Sequence, residues 1–245
     1  MKWNKIALAA MVSAFLAGFI PAVWADDSGT GDYVKQRTYV GGFGSSTNID
    51  DGGNFNGQLG FQFSSNTEVD LIPKIDRSFG YGGVLGHREG AYAVEVSYWR
   101  TEHNGSWGPF PPSFPFLANG TVSYHSLNVD FKRYLFTKLP TQPFFSLGLG
   151  FPWVIAHQAS GENTSGSYRF ADMTIAGIGL NLGVGMEIYL TPEYSIVGTI
   201  VQRWSGFTQI NGALKQPFTT QLNGQNINVE GDGLNFSVGA TIGFQ

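Results

Sequence analysis

The most constraining feature of the sequence is a two-residue hydrophobic period that recurs eight times between turn-rich connections. In the last of these segments, GLNFSVGATIGF, every second residue from Leu234 to Phe244 is apolar, and the residues between them are Asn, Ser, Gly or Thr. This alternation is typical of a β-strand with one apolar face. The eight segments predict strands at 33–44, 79–88, 91–103, 121–136, 143–157, 173–190, 194–205 and 233–245.

The connections between the predicted strands alternate in length. They are long at 45–78, 104–120 and 206–232, of medium length at 158–172, and short at 89–90, 137–142 and 191–193. An up-and-down barrel has tight turns at one end and large loops at the other, whereas a Greek-key sandwich has no reason to alternate. The sequence therefore predicts an all-β, up-and-down antiparallel barrel with eight strands. A possible strand pair in the first loop, at 58–63 and 68–75, leaves a ten-stranded count open.

The two faces of the predicted strands indicate a wall that faces lipid. In the sixth strand, large apolar residues such as Leu182 and Met186 share one face, and glycines such as Gly179 and Gly183 occupy the other. A β-sandwich in water carries charged and long polar side chains on its outer face. Here the polar face is mostly Gly and Ser, and only 13% of all residues are charged. The pattern therefore predicts a transmembrane β-barrel with a crowded lumen.

The seventh strand has the length of a membrane crossing. Tyr194 and Trp204 lie on the same face, ten residues apart. At about 3.3 Å per residue and a tilt near 40°, they are separated by roughly 25 Å along the membrane normal. This separation matches the height of the apolar band between two aromatic girdles. We therefore predict that both residues are membrane-interface aromatics.

The N-terminus has the layout of a secretory signal peptide. A basic start is followed by an apolar run from Ile6 to Ile20 and by a small-residue finish at Ala25, which predicts cleavage after that residue. The mature chain, 26–245, has 12 basic and 18 acidic residues, and this balance argues against nucleic-acid binding. No cysteine is present, so no disulfide forms. We expect a single barrel domain and no second domain.

Four stretches carry a resemblance to a known family. They are RTYVGGFGSS (37–46), FGYGGVLGHREGAYAVEVSYWR (79–100), PFFSLGLG (143–150) and NFSVGATIGFQ (235–245). The chain resembles the small eight-stranded outer-membrane barrels of Gram-negative bacteria, which include the OmpA-type transmembrane domain and the OmpX- and OmpW-like porin-like proteins. The resemblance covers nearly all of the mature chain and implies an architecture rather than an activity.

The resemblance also implies a location and partners. We expect insertion into the bacterial outer membrane, contact with membrane lipid and lipopolysaccharide, and handling by the barrel-assembly machinery. Family members often end on an aromatic residue that this machinery reads, whereas here Phe244 is penultimate and Gln245 follows. We expect a monomer without a cofactor, with the N-terminus and short turns in the periplasm and the long loops outside the cell.

Five charged residues point into the predicted barrel. Glu95 and Lys132 lie about equally far above short turns on neighbouring strands, so they are expected to face each other as an ion pair. Asp130, Glu187 and Arg203 are also inward by parity. We interpret these residues as a structural network in a narrow lumen. The alternative is a permeation path, because glycines leave little side-chain volume on several strands.

The best candidate for nucleophilic catalysis is the adjacent pair His125 and Ser126, since some small outer-membrane barrels modify lipid A with a Ser and a His. Adjacent strand residues point to opposite faces, so His125 is expected to face lipid and Ser126 the lumen. We therefore predict no catalytic residues. The loop at 48–57 is rich in Asp and Gly but has Leu59 where a calcium loop needs Glu, so we predict no metal site.

The loop at 104–120 is the remaining candidate for binding. Its aromatic residues lie among prolines that stiffen it, and they are Trp107, Phe110, Phe114 and Phe116. The alternative is that this loop packs on the barrel mouth or in lipopolysaccharide headgroups. The sequence favours a non-enzymatic barrel with a structural or surface-interaction role through long extracellular loops. A narrow channel for small or apolar solutes and a lipid A-modifying enzyme are the alternatives.

Overall fold

The computed structural model of the chain describes residues 34, 36–49, 74–75, 77–107, 118–163, 166–169, 173–214, 220–221, 225–230 and 232–244. Eight long strands run through these residues: β1 (Gln36–Ile49), β2 (Ser78–Glu89), β3 (Tyr92–Trp107), β4 (Ala118–Tyr134), β5 (Thr141–Asn163), β6 (Met173–Tyr189), β7 (Tyr194–Leu214) and β8 (Gly233–Phe244). Within this part of the chain, no helix is long and apolar enough to cross a bilayer.

The eight strands form a closed antiparallel barrel. Each strand pairs with the next along the chain. The last strand pairs back with the first, from Thr38 opposite Phe244 to Ile49 opposite Gly233. A closed barrel leaves no strand edge with unpaired backbone N–H and C=O groups. The predicted eight-stranded, up-and-down architecture is confirmed, and the ten-stranded alternative is wrong.

Short strands extend the barrel wall at the end that carries the long connections. Lys74–Ile75 pairs with β3, Gly166–Arg169 with β5, and Thr220–Gln221 and Gln225–Glu230 with β7. Of the strand pair considered for the first loop, 58–63 lies outside the described residues. Of the other segment, 68–75, the structure describes only the last two residues. These two residues pair with β3 and do not form a barrel strand.

The strand bounds agree closely with the prediction at the short turns and differ at the other end. The turns lie at 90–91, 135–140 and 190–193, whereas β3, β5 and β7 continue to Trp107, Asn163 and Leu214. The predicted strands stopped at 103, 157 and 205. These extensions are rich in Asn, Gly and Ser, which have low strand propensity alone. Pairing with a neighbouring strand overrides that propensity, because propensity in a sheet depends on context.

The outward face of the barrel is a belt of exposed apolar side chains. On β6, Ile178, Leu182, Val184 and Met186 are between 40% and 52% exposed. Asn181, which has the opposite parity, is buried. Contiguous apolar surface on this scale is not typical of a monomer in water. The predicted apolar outer face is confirmed, whereas the inner face also carries large aromatic side chains, such as Tyr39, Trp99 and Phe144, beside its small and polar residues.

Small residues on the inner face make room for large side chains from other strands. A Cβ atom at Gly86 would overlap the ring of Tyr39, and one at Gly185 would overlap the ring of Phe144. Phe144 packs in turn with Ala93 and Tyr134 in a buried cluster. Eight strands enclose a lumen that is about wide enough for side chains to fill. The core of the molecule therefore lies inside the barrel.

Candidate functional site

A buried ion pair lies inside the barrel near the short turns. Arg37 of β1 donates from Nη1 to Glu187 Oε1 of β6 at 3.0 Å. Its Nη2 donates to the Glu193 carbonyl at 2.7 Å and to Thr241 Oγ1 at 2.8 Å. Glu187 also accepts from the Tyr134 hydroxyl at 2.7 Å. These contacts connect β1, β4, β6 and β8, so the pair ties together strands from opposite sides of the barrel.

A second buried guanidinium lies beside the first. Arg88 donates from Nη1 to the Tyr189 hydroxyl at 2.5 Å, from Nη2 to Gln142 Oε1 at 2.6 Å and from Nε to the Gly90 carbonyl at 2.8 Å. It also lies 3.8 Å from the centroid of the Tyr134 ring, a cation–π contact. The amide of Gln142 donates to two carbonyls of the β4–β5 turn. Arg88 therefore anchors two turns from inside the barrel.

We call the seven residues that close this end of the lumen the turn-end plug: Arg37, Tyr39, Arg88, Tyr134, Gln142, Glu187 and Tyr189. None of them is more than 4% exposed. Buried charges are tolerated when they are paired and hydrogen-bonded. The turn-end plug pairs Arg37 with Glu187, and its tyrosine hydroxyls and cation–π contacts surround both guanidinium groups.

Glu95 and Lys132 form the predicted ion pair, which lies next to the turn-end plug inside the barrel. Lys132 Nζ lies 2.6 Å from Glu95 Oε1, and both side chains are 10% exposed or less. The Tyr39 hydroxyl donates to the same carboxylate oxygen at 2.5 Å. Lys132 also lies 4.3 Å from the centroid of the Phe144 ring. The structure brings these two predicted residues together, while Glu187 pairs with Arg37 instead.

Asp130 and Arg203 lie farther from the short turns and make no ion pair within the described part of the chain. Asp130 accepts from the Asn181 amide at 3.2 Å. The guanidinium carbon of Arg203 lies 4.1 Å from the centroid of the Trp99 ring. Both residues line a cavity of about 80 Å³ that also reaches Glu95. This volume holds a few water molecules but no large solute.

Sequence reasoning missed the two arginines of the turn-end plug. Arg37 and Arg88 have inward parity, and Arg37 shares its face with Tyr39, so parity was a usable signal. Their partners were not predictable from local spacing, because Arg37 and Glu187 are 150 residues apart.

The two predicted interface aromatics lie on the outer wall of β7. Tyr194 is 51% exposed at the start of the strand, and Trp204 is half-buried with the same parity. A further outer-wall cluster joins β3, β4 and β5. The His125 and Trp153 rings stack with centroids 5.3 Å apart, and the Tyr98 hydroxyl lies 2.7 Å from His125 Nδ1.

The pair considered for catalysis does not come together. His125 is on the outer wall, whereas Ser126 donates to Asn128 Oδ1 at 2.9 Å inside the lumen. The structure instead brings together Ser123 and His157, with Oγ 3.3 Å from Nε2. Sequence reasoning missed this pair because its members lie on neighbouring strands, 34 residues apart. Ser123 is only 1% exposed, so neighbouring atoms cover its hydroxyl.

The remaining predicted sites lie wholly or partly outside the described residues. Trp107 is the last residue of β3, and its side chain lies outside the described residues, as do Phe110, Phe114 and Phe116. In the described part of the chain, no group of three or more His, Asp or Glu side chains is arranged to hold a metal ion.

Comparison with known proteins gives likeness in structure only. No family model matches the chain, and no curated protein matches it. The outer membrane protein OprG of Pseudomonas aeruginosa is 15% identical, with a TM-score of 0.52 over 88% of this chain and 98% of its own. Neisserial surface protein A is 14% identical, with a TM-score of 0.48 over 84% of this chain and 97% of its own.

The outer membrane protein AlkL is 15% identical, with a TM-score of 0.44 over 86% of this chain and 92% of its own. Of these three, the likeness to OprG has a TM-score above 0.5 and supports a statement about this chain, and at 15% identity that statement concerns architecture alone. The closed eight-stranded barrel, its apolar belt and its filled lumen agree with it. This chain has the fold of the small eight-stranded outer-membrane β-barrels.

Proposed function

We propose that the chain is an integral outer-membrane protein of a Gram-negative bacterium. In this proposal residues 1–25 are a cleaved signal peptide, and 26–245 form the barrel. The short turns face the periplasm and the long connections face outward, which is the arrangement expected of such barrels. The exposed apolar belt supports the proposal, because an apolar wall around a closed barrel is stable in lipid. The barrel is a monomer whose contacts are lipid and lipopolysaccharide, and the assembly machinery inserts it.

Its role is structural or surface-interacting, without catalysis or transport through the lumen. The observation that supports this role is the turn-end plug. Its side chains are buried and joined by hydrogen bonds, an ion pair and cation–π contacts, so they occupy the lumen where a solute would have to leave. In this proposal the long outward-facing loops bind partners. The loop at 104–120 supplies the aromatic candidates for that binding, which are Trp107, Phe110, Phe114 and Phe116.

The second candidate is a narrow channel, which the cavity above the turn-end plug favours. Planar bilayers containing the purified protein distinguish the two roles. We expect no stepwise conductance at high protein load, because the side chains of Arg37 and Arg88 block the lumen to ions. Arg88→Ala removes a side chain that fills this end and serves as the matched variant; it is expected to conduct. Discrete openings of the unmodified barrel would establish a channel and overturn the sealed-lumen role.

The third candidate is a lipid-modifying enzyme, for which the Ser123–His157 contact is the favourable observation. We expect lipid A from cells that express the protein to have the same mass spectrum as lipid A from cells that do not. The reason is the burial of Ser123, which keeps an acyl ester away from the hydroxyl. Loss of an acyl chain in expressing cells that disappears with Ser123→Ala would contradict this expectation and establish an enzyme.

A further inference from the structure

The β4–β5 turn holds an aromatic residue in a backbone conformation that favours glycine. Phe136 has φ of 54°, and it is the one non-glycine with positive φ among the described residues. In the β2–β3 turn the same conformation is taken by Gly90, with φ of 56°. A Cβ atom makes this region costly, so a phenylalanine is a poor choice on backbone grounds. The backbone conformation therefore does not explain a phenylalanine at this position, and the explanation lies in its side chain.

The turn around Phe136 is firmly held. Its carbonyl accepts from the Leu139 N–H at 2.9 Å, and Leu135 N–H donates to the Pro143 carbonyl at 2.7 Å. From inside the barrel, the Gln142 amide donates to the carbonyls of Thr137 and Leu139 at 3.0 and 2.7 Å. These contacts fix the backbone in the left-handed conformation. The Cα–Cβ bond of Phe136 is thus held in one direction, and the residue is 67% exposed.

Two further apolar side chains are exposed at this end of the barrel, one in the same turn and one in the turn joined to it. Leu139 is 53% exposed, and Leu190 of the β6–β7 turn is 64% exposed. The two turns are joined, because Tyr189 N–H donates to the Pro140 carbonyl at 2.8 Å. That contact continues the pairing of β5 with β6 by one residue beyond Thr141 and Ile188, and Leu139 and Leu190 are the next residues of the two joined turns. We call Phe136, Leu139 and Leu190 the turn patch.

The turn patch is continuous with the apolar belt. Leu190 has the same parity as Ile188 and Met186 on β6, which are 42% and 44% exposed. Lys138 lies within the same turn and is exposed. A lysine beside an apolar anchor suits an interface, because its stem covers apolar surface while its ammonium reaches a phosphate. A patch that belongs to the belt meets the same medium as the belt.

We propose that the turn patch is an anchor that inserts into the phospholipid leaflet on the short-turn side of the membrane. Phe136, Leu139 and Leu190 lie at the boundary between acyl chains and headgroups, and Lys138 contacts lipid phosphate. The anchor fixes the depth of the barrel, and its lipid contacts offset the cost of the backbone at Phe136. This inference rests on the proposed membrane location of the barrel.

The absence of native cysteine makes single-cysteine labelling the direct test. The variants Phe136→Cys, Leu149→Cys and Glu89→Cys each carry an environment-sensitive fluorophore, and the barrel is reconstituted in phosphatidylethanolamine–phosphatidylglycerol vesicles. Leu149 lies in the middle of the belt and reports insertion of the barrel, whereas Glu89 is an exposed residue at another turn on the same side. A water-soluble quencher on both sides of the vesicle membrane and a lipid spin-labelled near its headgroup report the surroundings of each label.

We expect quenching at position 136 by the spin-labelled lipid, and several-fold weaker quenching by the soluble agent than at position 89. A label at 136 that is as open to the soluble quencher as the one at 89, while 149 is shielded, would overturn the anchor and leave the membrane location standing. Exposure of 149 as well would overturn both. Leu190→Cys places the label in the same turn patch at a residue without positive φ. If Phe136→Cys does not fold, the same quenching pattern is expected at position 190.

Discussion

Replacing Glu187 with alanine is expected to lower the free energy of unfolding of the barrel by about 3–5 kcal/mol. The carboxylate accepts hydrogen bonds from Arg37, Tyr134 and Ser195, and it is 1% exposed. Alanine leaves the guanidinium of Arg37 inside the lumen without its opposite charge. A buried charge that loses its partner keeps its desolvation cost and gains nothing in return.

Urea unfolding of the barrel in phospholipid vesicles, followed by tryptophan fluorescence, measures this loss. Glu89→Ala is the matched control, because that carboxylate is exposed, and its effect is expected within about 0.5 kcal/mol. The double variant Arg37→Met/Glu187→Leu removes both charges and is expected to recover much of the stability lost in Glu187→Ala. Equal midpoints for Glu187→Ala and the unmodified barrel would show that the turn-end plug does not carry the stability assigned to it.

Gly148→Ala is expected to destabilise the barrel by about 1–3 kcal/mol, whereas Gly198→Ala is neutral or stabilising by up to about 1 kcal/mol. Gly148 faces the lumen, where an added Cβ would overlap the Val129 carbonyl and the Asp130 carboxylate. Gly198 faces outward between Ile196 and Ile200, and nothing lies within 4 Å of a Cβ built on it. The same chemical change therefore has opposite signs on the two faces of the wall.

The two glycine variants are compared by the same vesicle unfolding experiment. Both positions lie in regular strands, so the loss of backbone freedom in the unfolded chain is similar and cancels in the comparison. The difference between them then reports the space inside the barrel. If the Gly148→Ala barrel is as stable as the Gly198→Ala barrel, the lumen beside β4 and β5 has room for an added methyl group.

The barrel was predictable because its strands share one pattern, in which an apolar outward residue alternates with an inward one. From Ile178 on β6 to Ile200 on β7, each outward strand residue is apolar or glycine, and the turn at 190–193 interrupts that pattern. Beyond the belt the constraint ends. The stretch FTQINGAL at 207–214 has no consistent apolar face, yet it continues β7, because the neighbouring strands supply hydrogen-bond partners. Sequence periodicity reports the side-chain environment, so it does not locate a strand end held by backbone pairing.

The lumen was predictable only where its contacts join neighbouring strands. Glu95 and Lys132 lie about equally far from two short turns, the one before β3 and the one after β4, and these two strands pair with each other, so counting residues from the turns indicated their pairing. The contact between Arg37 and Glu187 crosses the barrel, and its geometry depends on closure by β8. Arg203 was placed inside by parity, but its stacking on Trp99 depends on side-chain rotamers that a sequence pattern does not describe.

The pairing of the first strand with the last has a consequence for the order in which the molecule is made. Thr38 meets Phe244, and Arg37 donates to Thr241 across 204 residues of chain. Contacts of such high sequence separation form late and slowly, because a long loop must close before they contribute. We therefore expect Arg37 and its partners to stay accessible to water until the C-terminal strand pairs with the first. The step that closes the wall would then also bury these charges.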